Sequence, residues 1–544
     1  MKTEKLKQNV KGYVQQFEDG GLRLLRKGQK GVIHAIFSRF GLVLILLLLQ
    51  VGLLFSIFRW FGNLWPHYFG GSVVVTSAMV IYLLNSKMDN SAKITWMVVV
   101  AIAPVVGIPM FFYVKSNFGH NILRKRLLEL EDQLRGWLPQ SQKAVEQLKA
   151  LEPGAASLAK YLYGRGGGFP VYQNTAMTYF PGGEAKFEEL LRQLETAEEY
   201  IFVEYFIIDE GLMWGKILEV LARKALQGVD VRVMYDGTCE FSTLPRNYPR
   251  LLEKLNIQCK VFSPVQPFVS THYNYRDHRK ILVIDGRVGF TGGVNLADEY
   301  INHIQKHGRW KDAAVMLEGE AVRSLTAQFL QMWGILKEPE YEQFLTRPIP
   351  VPENAKGVAA PYGDCPLDGE RVGEMVYIDL LNRARDYIHI MTPYLILDGE
   401  LETALKFAAE RGVDVHLILP GKPDKQFPYA LAKSHYSALL DSGVKISEWS
   451  PGFVHAKVFV VDGREAVNGL VNKKYVMRAR GEEDRRVVYI WLTEKGEKAY
   501  YHHEEFHREM TNAVLNRLDE KEIPVLMKTL DGLSEFFRGY SSEE

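Results

Sequence analysis

Two copies of the pattern His-x-Lys-x4-Asp occur in this chain: His278-Lys280-Asp285 and His455-Lys457-Asp462. Their frames, HRKILVIDGRVGFTGGVN and HAKVFVVDGREAVNGLVN, match beyond the triplets, with Gly286 opposite Gly463, Gly292 opposite Gly469 and Asn295 opposite Asn472. One such short motif carries a real risk of coincidence, because an isolated His-Lys pair is most often a packed ring and a surface charge. Two copies in one register, each running from an apolar stretch through Asp-Gly into a second stretch, mark a duplicated functional unit. The runs ILVI and VFVV read as strands, and Asp-Gly reads as the turn that ends them. Side chains alternate along a strand, so His278 and Lys280 share a face, as do His455 and Lys457. Each Asp stands at an odd offset from its Lys and points the other way, roughly 16 Å further on. The His-Lys pairs are therefore the expected reacting groups. Asp285 and Asp462 are the supporting members that order the turn.

An imidazole beside an ammonium suits an anionic, phosphorus-centred substrate. The Lys neutralises the non-bridging oxygens, and the amide of Asn295 or Asn472 donates to them. A neutral His can attack phosphorus and form a covalent intermediate. A second His can protonate the leaving alcohol and later deprotonate the incoming one. Each copy supplies half of this machinery, so two copies facing each other across a pseudo-two-fold complete one site. No cluster with metal-ligand spacing stands out, and no metal or other cofactor is expected.

The elements that must hold these groups follow from the rest of the chain. Its 544 residues allow three or four domains by the usual domain size. A net charge of +1 with 24% charged residues argues against a nucleic-acid partner. Cys239, Cys259 and Cys365 are too few and scattered for a disulfide framework or zinc site, and read as free, packed thiols. Residues 1–39 form a basic tail. Residues 40–58, 60–86 and 94–114 contain no Lys, Arg, Asp or Glu, and each has the apolar length of a spanning helix. Pro66, His67, Gly70 and Gly71 weaken the start of the second run, and Pro104, Gly107 and Pro109 make the third a candidate for an irregular helix. Residues 40–118 are thus expected to form an anchor of two or three transmembrane helices in a multi-pass cell-membrane protein. Basic residues on both sides of it conflict over orientation, and the catalytic part leans cytoplasmic.

Residues 119–164 read as an amphipathic helical linker. Two α/β units follow, 165–346 and 365–544, divided by the Pro-rich linker 347–364. Each opens on a helix with one apolar spacing: Phe187, Leu190, Leu191, Leu194 in the first, and Tyr377, Leu380, Leu381, Ala384 in the second. GVDVRVMYDG in the first answers GVDVHLILPG in the second. Strand, helix and strand in alternation imply mostly parallel sheets flanked by helices.

These motifs resemble those of the phospholipase D superfamily, over about residues 165–510, and the phrasing narrows to bacterial cardiolipin synthases. FPVYQNTAMTYFPGGEAKFEELL, FVEYFIIDEG and LPGKPDKQFPYALAKSHYSALLDSGVKISEWSPGFVHAKVFVVD carry that likeness, as does the apolar N-terminus. The resemblance implies two phospholipase D-like domains with the site at their interface, preceded by an α-helical membrane anchor. It implies that two phosphatidylglycerols from the lipid bilayer are joined with release of glycerol, through a phosphohistidine. His278 would be the nucleophile and His455 the acid/base. Asp312, in GRWKDAAV, and Glu483, in RGEEDRR, stand where the family places carboxylates that orient the catalytic His. The second copy departs from the family: Leu470 replaces a hydroxyl residue, and NKKYVMRARGEEDRR brings extra cations, which puts the acceptor preference in question. The alternatives are a hydrolytic phospholipase D, a transferase to another alcohol, or a non-catalytic lipid-binding protein. Sequence says nothing of oligomeric state.

Overall fold

The computed structural model describes residues 65–86, 88, 90–115, 120–263, 276–335, 337–365 and 367–462, with short pieces at 15–16, 22–23, 52, 476–480 and 488–492. Residues up to Val461 make one compact unit. A second unit begins at Asp462, and in it the strands Val476–Arg480 and Val488–Leu492 pair antiparallel.

Two of the three apolar N-terminal runs fall within the described residues, and neither forms a helix long and apolar enough to span a membrane. The first, 40–58, lies outside the described residues. The second gives helix α1, Trp65–Leu84, whose early turns carry Pro66, His67, Gly70 and Gly71. The third breaks at Ala103 into α2, Asn90–Ile102, and α3, Pro104–Lys115. A Cβ on Gly107 would come within 3.0 Å of the Val99 carbonyl oxygen, so this glycine lets the two helices fold closely on each other. At the usual rise they are about 20 and about 18 Å long, against a hydrocarbon core of about 30 Å. Met79, Leu83, Val100 and Phe111 join the three helices in one small cluster. Among the described residues no helix is long and apolar enough to cross a membrane, which overturns the expected multi-pass membrane placement. Charge-free length was the misleading signal, because a proline break and a glycine contact turn one long run into a short hairpin.

The linker forms amphipathic helices, beginning with α4, His120–Arg135. The first half then builds a seven-stranded sheet. Its strands are β1 (Thr175–Phe180), β2 (Tyr200–Tyr205), β3 (Asp230–Asp236), β4 (Gln258–Phe262), β5 (Lys280–Ile284), β6 (Val288–Gly292) and β8 (Ala314–Gly319), with the short β7 (Arg309–Lys311) outside it. Their order is β1-β8-β6-β5-β2-β3-β4. β2, β3 and β4 run parallel, whereas β5, β6, β8 and β1 pair antiparallel, so the sheet is mixed rather than mostly parallel. Helices α5 (Gly183–Leu194) and α6 (Leu212–Leu226) cover one face through Leu190, Leu194, Ile217 and Leu221. On the other face, α7 (Val322–Trp333) and α4 pack over Phe202, Ile281 and Val283.

The second half repeats the plan in fewer strands. After α8 (Val372–Arg383) come β9 (Tyr387–Met391), α9 (Gly399–Glu410), β10 (Asp414–Pro420) and β11 (Lys445–Trp449), then β12 (Gly452–Val454) and β13 (Val458–Val461). The sheet order is β11-β10-β9-β13, with only β13 antiparallel. In both halves the strand after the His-x-Lys thus lies antiparallel to the first parallel strand: β5 against β2, and β13 against β9. The three thiols are free, with Cys239 buried.

The Asp of each motif closes its strand in the left-handed region, at φ 50° for Asp285 and 39° for Asp462. Asp285 does more than form a turn. Its carboxylate accepts from the backbone N–H groups of Glu198 (2.9 Å), Glu199 (2.8 Å) and Tyr200 (2.8 Å), fixing the start of β2 against the end of β5. Asp285→Ala is expected to destabilise the protein by about 3 kcal/mol, read as a lower thermal midpoint. Asp285→Asn keeps one acceptor oxygen and a side chain that tolerates positive φ, and should lose about half as much. Equal losses in the two variants would show that these hydrogen bonds are not what holds the junction.

Candidate active site

The two halves meet through backbone. β12 of the second half pairs in parallel with β7 of the first, matching Gly452 with Arg309 and Val454 with Lys311. A Cβ on Gly452 would lie 2.1 Å from the Arg309 carbonyl oxygen, so only glycine allows this approach. The residue after β7 is Asp312 and the residue after β12 is His455. The pairing continues as His455 N–H donates to the Lys311 carbonyl at 2.7 Å.

That register sets the central contact of the site. His455 Nδ1 lies 2.7 Å from Oδ2 of Asp312, and the carboxylate is wholly buried. The other oxygen of Asp312 accepts from the Ala313 N–H at 2.8 Å. A carboxylate at Nδ1 fixes that nitrogen as the protonated one and leaves Nε2 to react. Gly293 leaves room for this arrangement, since a Cβ there would sit 2.0 Å from Asp312 Oδ1. Asp312 therefore does hold a motif histidine, and that histidine is the one from the other half. Glu483 and Asn472 lie outside the described residues.

Aromatic rings enclose His455, with Tyr300 edge-on at 5.3 Å and Trp310 at 5.4 Å. Asn295 works through this wall. Its Oδ1 accepts from the Ile207 N–H at 3.2 Å and its Nδ2 donates to the Tyr300 hydroxyl at 2.7 Å, leaving one amide hydrogen uncommitted. Lys457 Nζ stands 2.9 Å from Nε2 of His455. In the first motif, Lys280 Nζ donates to the His278 carbonyl at 2.5 Å and the His278 ring packs 4.7 Å from Phe206. His278, Lys280 and Lys457 all line one cavity of about 1020 Å³.

Burial and crowding of cations set the protonation states. The Lys280 ammonium is pushed down to about 7, by burial first and then by Lys457, although Asp277 and Asp312 pull it back up. Lys457 is pushed down to about 8 by burial, against the pull of Asp312 and Asp424. Burial also lowers His455, outweighing the stabilisation of its cation by Asp312. His278 is lowered by desolvation, then by Lys280, Lys457 and His455. Its ring is open to the cavity, so water tempers those effects but leaves their sign. Both imidazoles are thus neutral near pH 7, and the cavity carries two easily discharged ammonium groups aimed at one place. Such a site can take an anion, attack it with a neutral nitrogen, and exchange protons on a second ring.

Several contributors carried no motif. Lys186 is fully buried on α5, donates to the Tyr205 hydroxyl at 2.9 Å, and is pushed down to about 7 by desolvation, with Asp312 opposing. Glu204, alone among apolar residues in β2, is fully buried beside Asp277 and Arg279. A lone charge in an apolar strand, or on the packed face of a helix, is the signal that could have marked them.

A family model described as the phospholipase D-like domain of cardiolipin synthase matches residues 190–333 and 377–488. An uncharacterized protein of Streptococcus mutans is 55% identical over 397 residues, which span 73% of this chain and 86% of that one. A cardiolipin synthase of Geobacillus kaustophilus is 36% identical over 406 residues, 73% of this chain and 79% of its own. Among solved structures, a phosphatidylserine synthase of Haemophilus influenzae aligns with 57% of this chain and 80% of its own, at 14% identity and a TM-score of 0.39. The curated relatives match along most of their length, and the chain accordingly belongs to the cardiolipin synthase family of phospholipase D superfamily enzymes.

Proposed function

We propose that this protein is a phosphatidyltransferase that joins two phosphatidylglycerols into cardiolipin and releases glycerol, through a phosphohistidine on His278. The observation that carries the reading is the convergence of His278, Lys280 and Lys457 on one cavity, with His455 held beside it by a buried carboxylate. The relatives named cardiolipin synthase supply the substrate class. The two repeats form the domains 165–346 and 365–544.

In the first step neutral His278 attacks phosphorus while Lys280 and Lys457 neutralise the non-bridging oxygens. The P–O bond to the head-group glycerol breaks, and the protonated His455 ring gives its Nε2 proton to the departing oxygen. Asp312 makes that imidazolium accessible by stabilising it at Nδ1, and the bound anion adds to the effect. In the second step neutral His455 takes the proton from a hydroxyl of the second phosphatidylglycerol. That oxygen attacks phosphorus, the P–N bond breaks, and His278 returns to its starting state. The role split follows from surroundings: His278 is neutral and open to the cavity, whereas His455 has the carboxylate that a proton carrier needs. Asp312 serves the histidine of the other repeat, and Glu483 stands at the corresponding place in the second repeat's sequence. Asn295, with one amide hydrogen already on the Tyr300 hydroxyl, offers its other to phosphate.

Purified protein in mixed micelles with phosphatidylglycerol alone should yield diphosphatidyl product and free glycerol in equal amounts. Phosphatidic acid as the sole product would replace transfer with hydrolysis, a preference for an added alcohol would change the acceptor, and no turnover under any condition would leave a lipid-binding protein. Acid-labile label from phosphatidylglycerol should be trapped on His278, and its appearance on His455 would reverse the roles.

Asp312→Asn should lower kcat by about 1000-fold with little change in KM, because the imidazolium loses its partner and the tautomer is no longer fixed. Gly293→Ala should approach the same loss by displacing the carboxylate. A mild effect in both variants would remove Asp312 from the mechanism.

The lysines must be charged to hold phosphate, and in the free protein their ammonium forms fade as pH rises through about 7 and about 8. The expected result is that kcat/KM falls over that interval, while kcat holds to higher pH because the bound anion raises both values. Lys457→Arg keeps its charge and should remove the part of the fall near pH 8, leaving a shallower limb set by Lys280. A limb of unchanged steepness would assign that part to a group other than Lys457.

A further inference from the structure

The cavity beside His278 is far larger than a phosphate needs. From the reacting groups it passes Gly292 and Gly293 and extends over the face of the first sheet that α7 covers. Its far wall is apolar and comes from three elements: Leu123 and Leu127 of α4, Phe262 at the end of β4, and Leu325 and Met332 of α7. Between the two regions lies a polar floor with unused capacity. Gln328, on α7 and 3% exposed, has no acceptor for its buried Nε2. Buried Nη1 of Arg279 likewise makes no hydrogen bond, its carboxylate neighbour Glu204 lying 3.8 Å away. The two side chains come together at Gly363, where a Cβ would meet Gln328 Oε1 at 3.1 Å and Arg279 Nη2 at 3.4 Å.

Buried donors without acceptors cost free energy, and a ligand that brings acceptors recovers it. The chemistry on offer is specific. Gln328 Nε2 and Arg279 Nη1 supply donors here, while burial raises the nearby Glu204 and Asp277 carboxyls, whose oxygens also lack hydrogen-bond partners. A ligand suited to Gln328 and Arg279 therefore presents acceptors, and the far wall calls for apolar length. Ester carbonyls that lead into acyl chains have that form. A glycerol head group has no apolar length and does not.

We infer that this cavity is the subsite for the diacylglycerol portion of the donor lipid, with Gln328 and Arg279 donating to its ester carbonyls and the α4–α7 wall receiving its acyl chains. The inference rests on the proposed phosphatidyl transfer. It explains why the space opens at His278: the diacylglycerol part is the one that stays covalently attached to that histidine between the two steps, while the head group departs.

The test compares ester-linked phosphatidylglycerol with its dialkyl ether analogue, which lacks the carbonyls. Wild-type protein should favour the ester by about tenfold in kcat/KM. Gln328→Met, close in shape and without donors, should cut that ratio to about threefold by losing activity on the ester only, since Arg279 remains. Met332→Trp, which fills the apolar wall, should slow transfer from long-chain lipid and leave dihexanoyl phosphatidylglycerol unaffected. The inference is overturned by an ester-to-ether ratio that Gln328→Met leaves unchanged, or by Met332→Trp slowing both chain lengths equally or shifting the choice of acceptor alcohol. Should Met332→Trp not fold, the Gln328→Met ratio decides alone. Calorimetric titration with monomeric dihexanoyl ester and dihexyl ether lipids reads the same ratio without turnover. Absence of transfer product in the wild type would therefore defeat the transferase reading, whereas equal binding of ester and ether would defeat the subsite.

Discussion

The hydrogen bond between Asp312 and His455 is the contact on which the site depends, and it exists only because two short strands from different halves pair in one register. β7 ends one residue before the carboxylate and β12 ends one residue before the imidazole. A shift of one residue in that pairing would turn both side chains away from each other. Glycines carry the close approaches on either side of the contact: Gly452 admits the Arg309 backbone, and Gly293 admits the carboxylate. Neither sheet alone positions the ring. The junction between them does.

Electrostatics follow from the same junction. Bringing the halves together places Lys280 and Lys457 within influence of each other, and burial makes their charges costly. An empty site is thus poised to lose a proton, and a bound phosphate diester relieves the conflict. The buried carboxylate of Asp312, which pulls on both lysines, limits that conflict without cancelling it and also stabilises His455.

Much of this could be read from residue order, and the limits have physical causes. The period of two in a strand was enough to separate the His-Lys pairs from the Asp of each motif, and Asp285 indeed lies at the far end of β5 holding the start of β2. Apolar spacing located α5 and α8. Strand direction was not legible, because an apolar run has the same composition whether it pairs parallel or antiparallel, and so the sheet of the first half proved mixed. Charge-free length at 94–114 suggested a span, yet Pro104 and Gly107 folded it on itself. Asp312 was marked only by the family resemblance, and the histidine it serves is set by contact through space, which spacing along the chain does not encode. Gln328 and Glu204 had no motif at all, and their importance lies only in what surrounds them.

The dependence of His455 on a carboxylate from the other repeat has a consequence for synthesis of the chain. When the ribosome has made the first half, His278 and Lys280 are already present, but the acid/base ring is not, and Asp312 has no partner to hold. Once the second half is made, the ring is correctly oriented only after β12 docks on β7. On the proposed mechanism, chemistry therefore begins only once this docking has happened. A truncated or mispaired chain then lacks a working site, and activity itself reports that the two halves have joined.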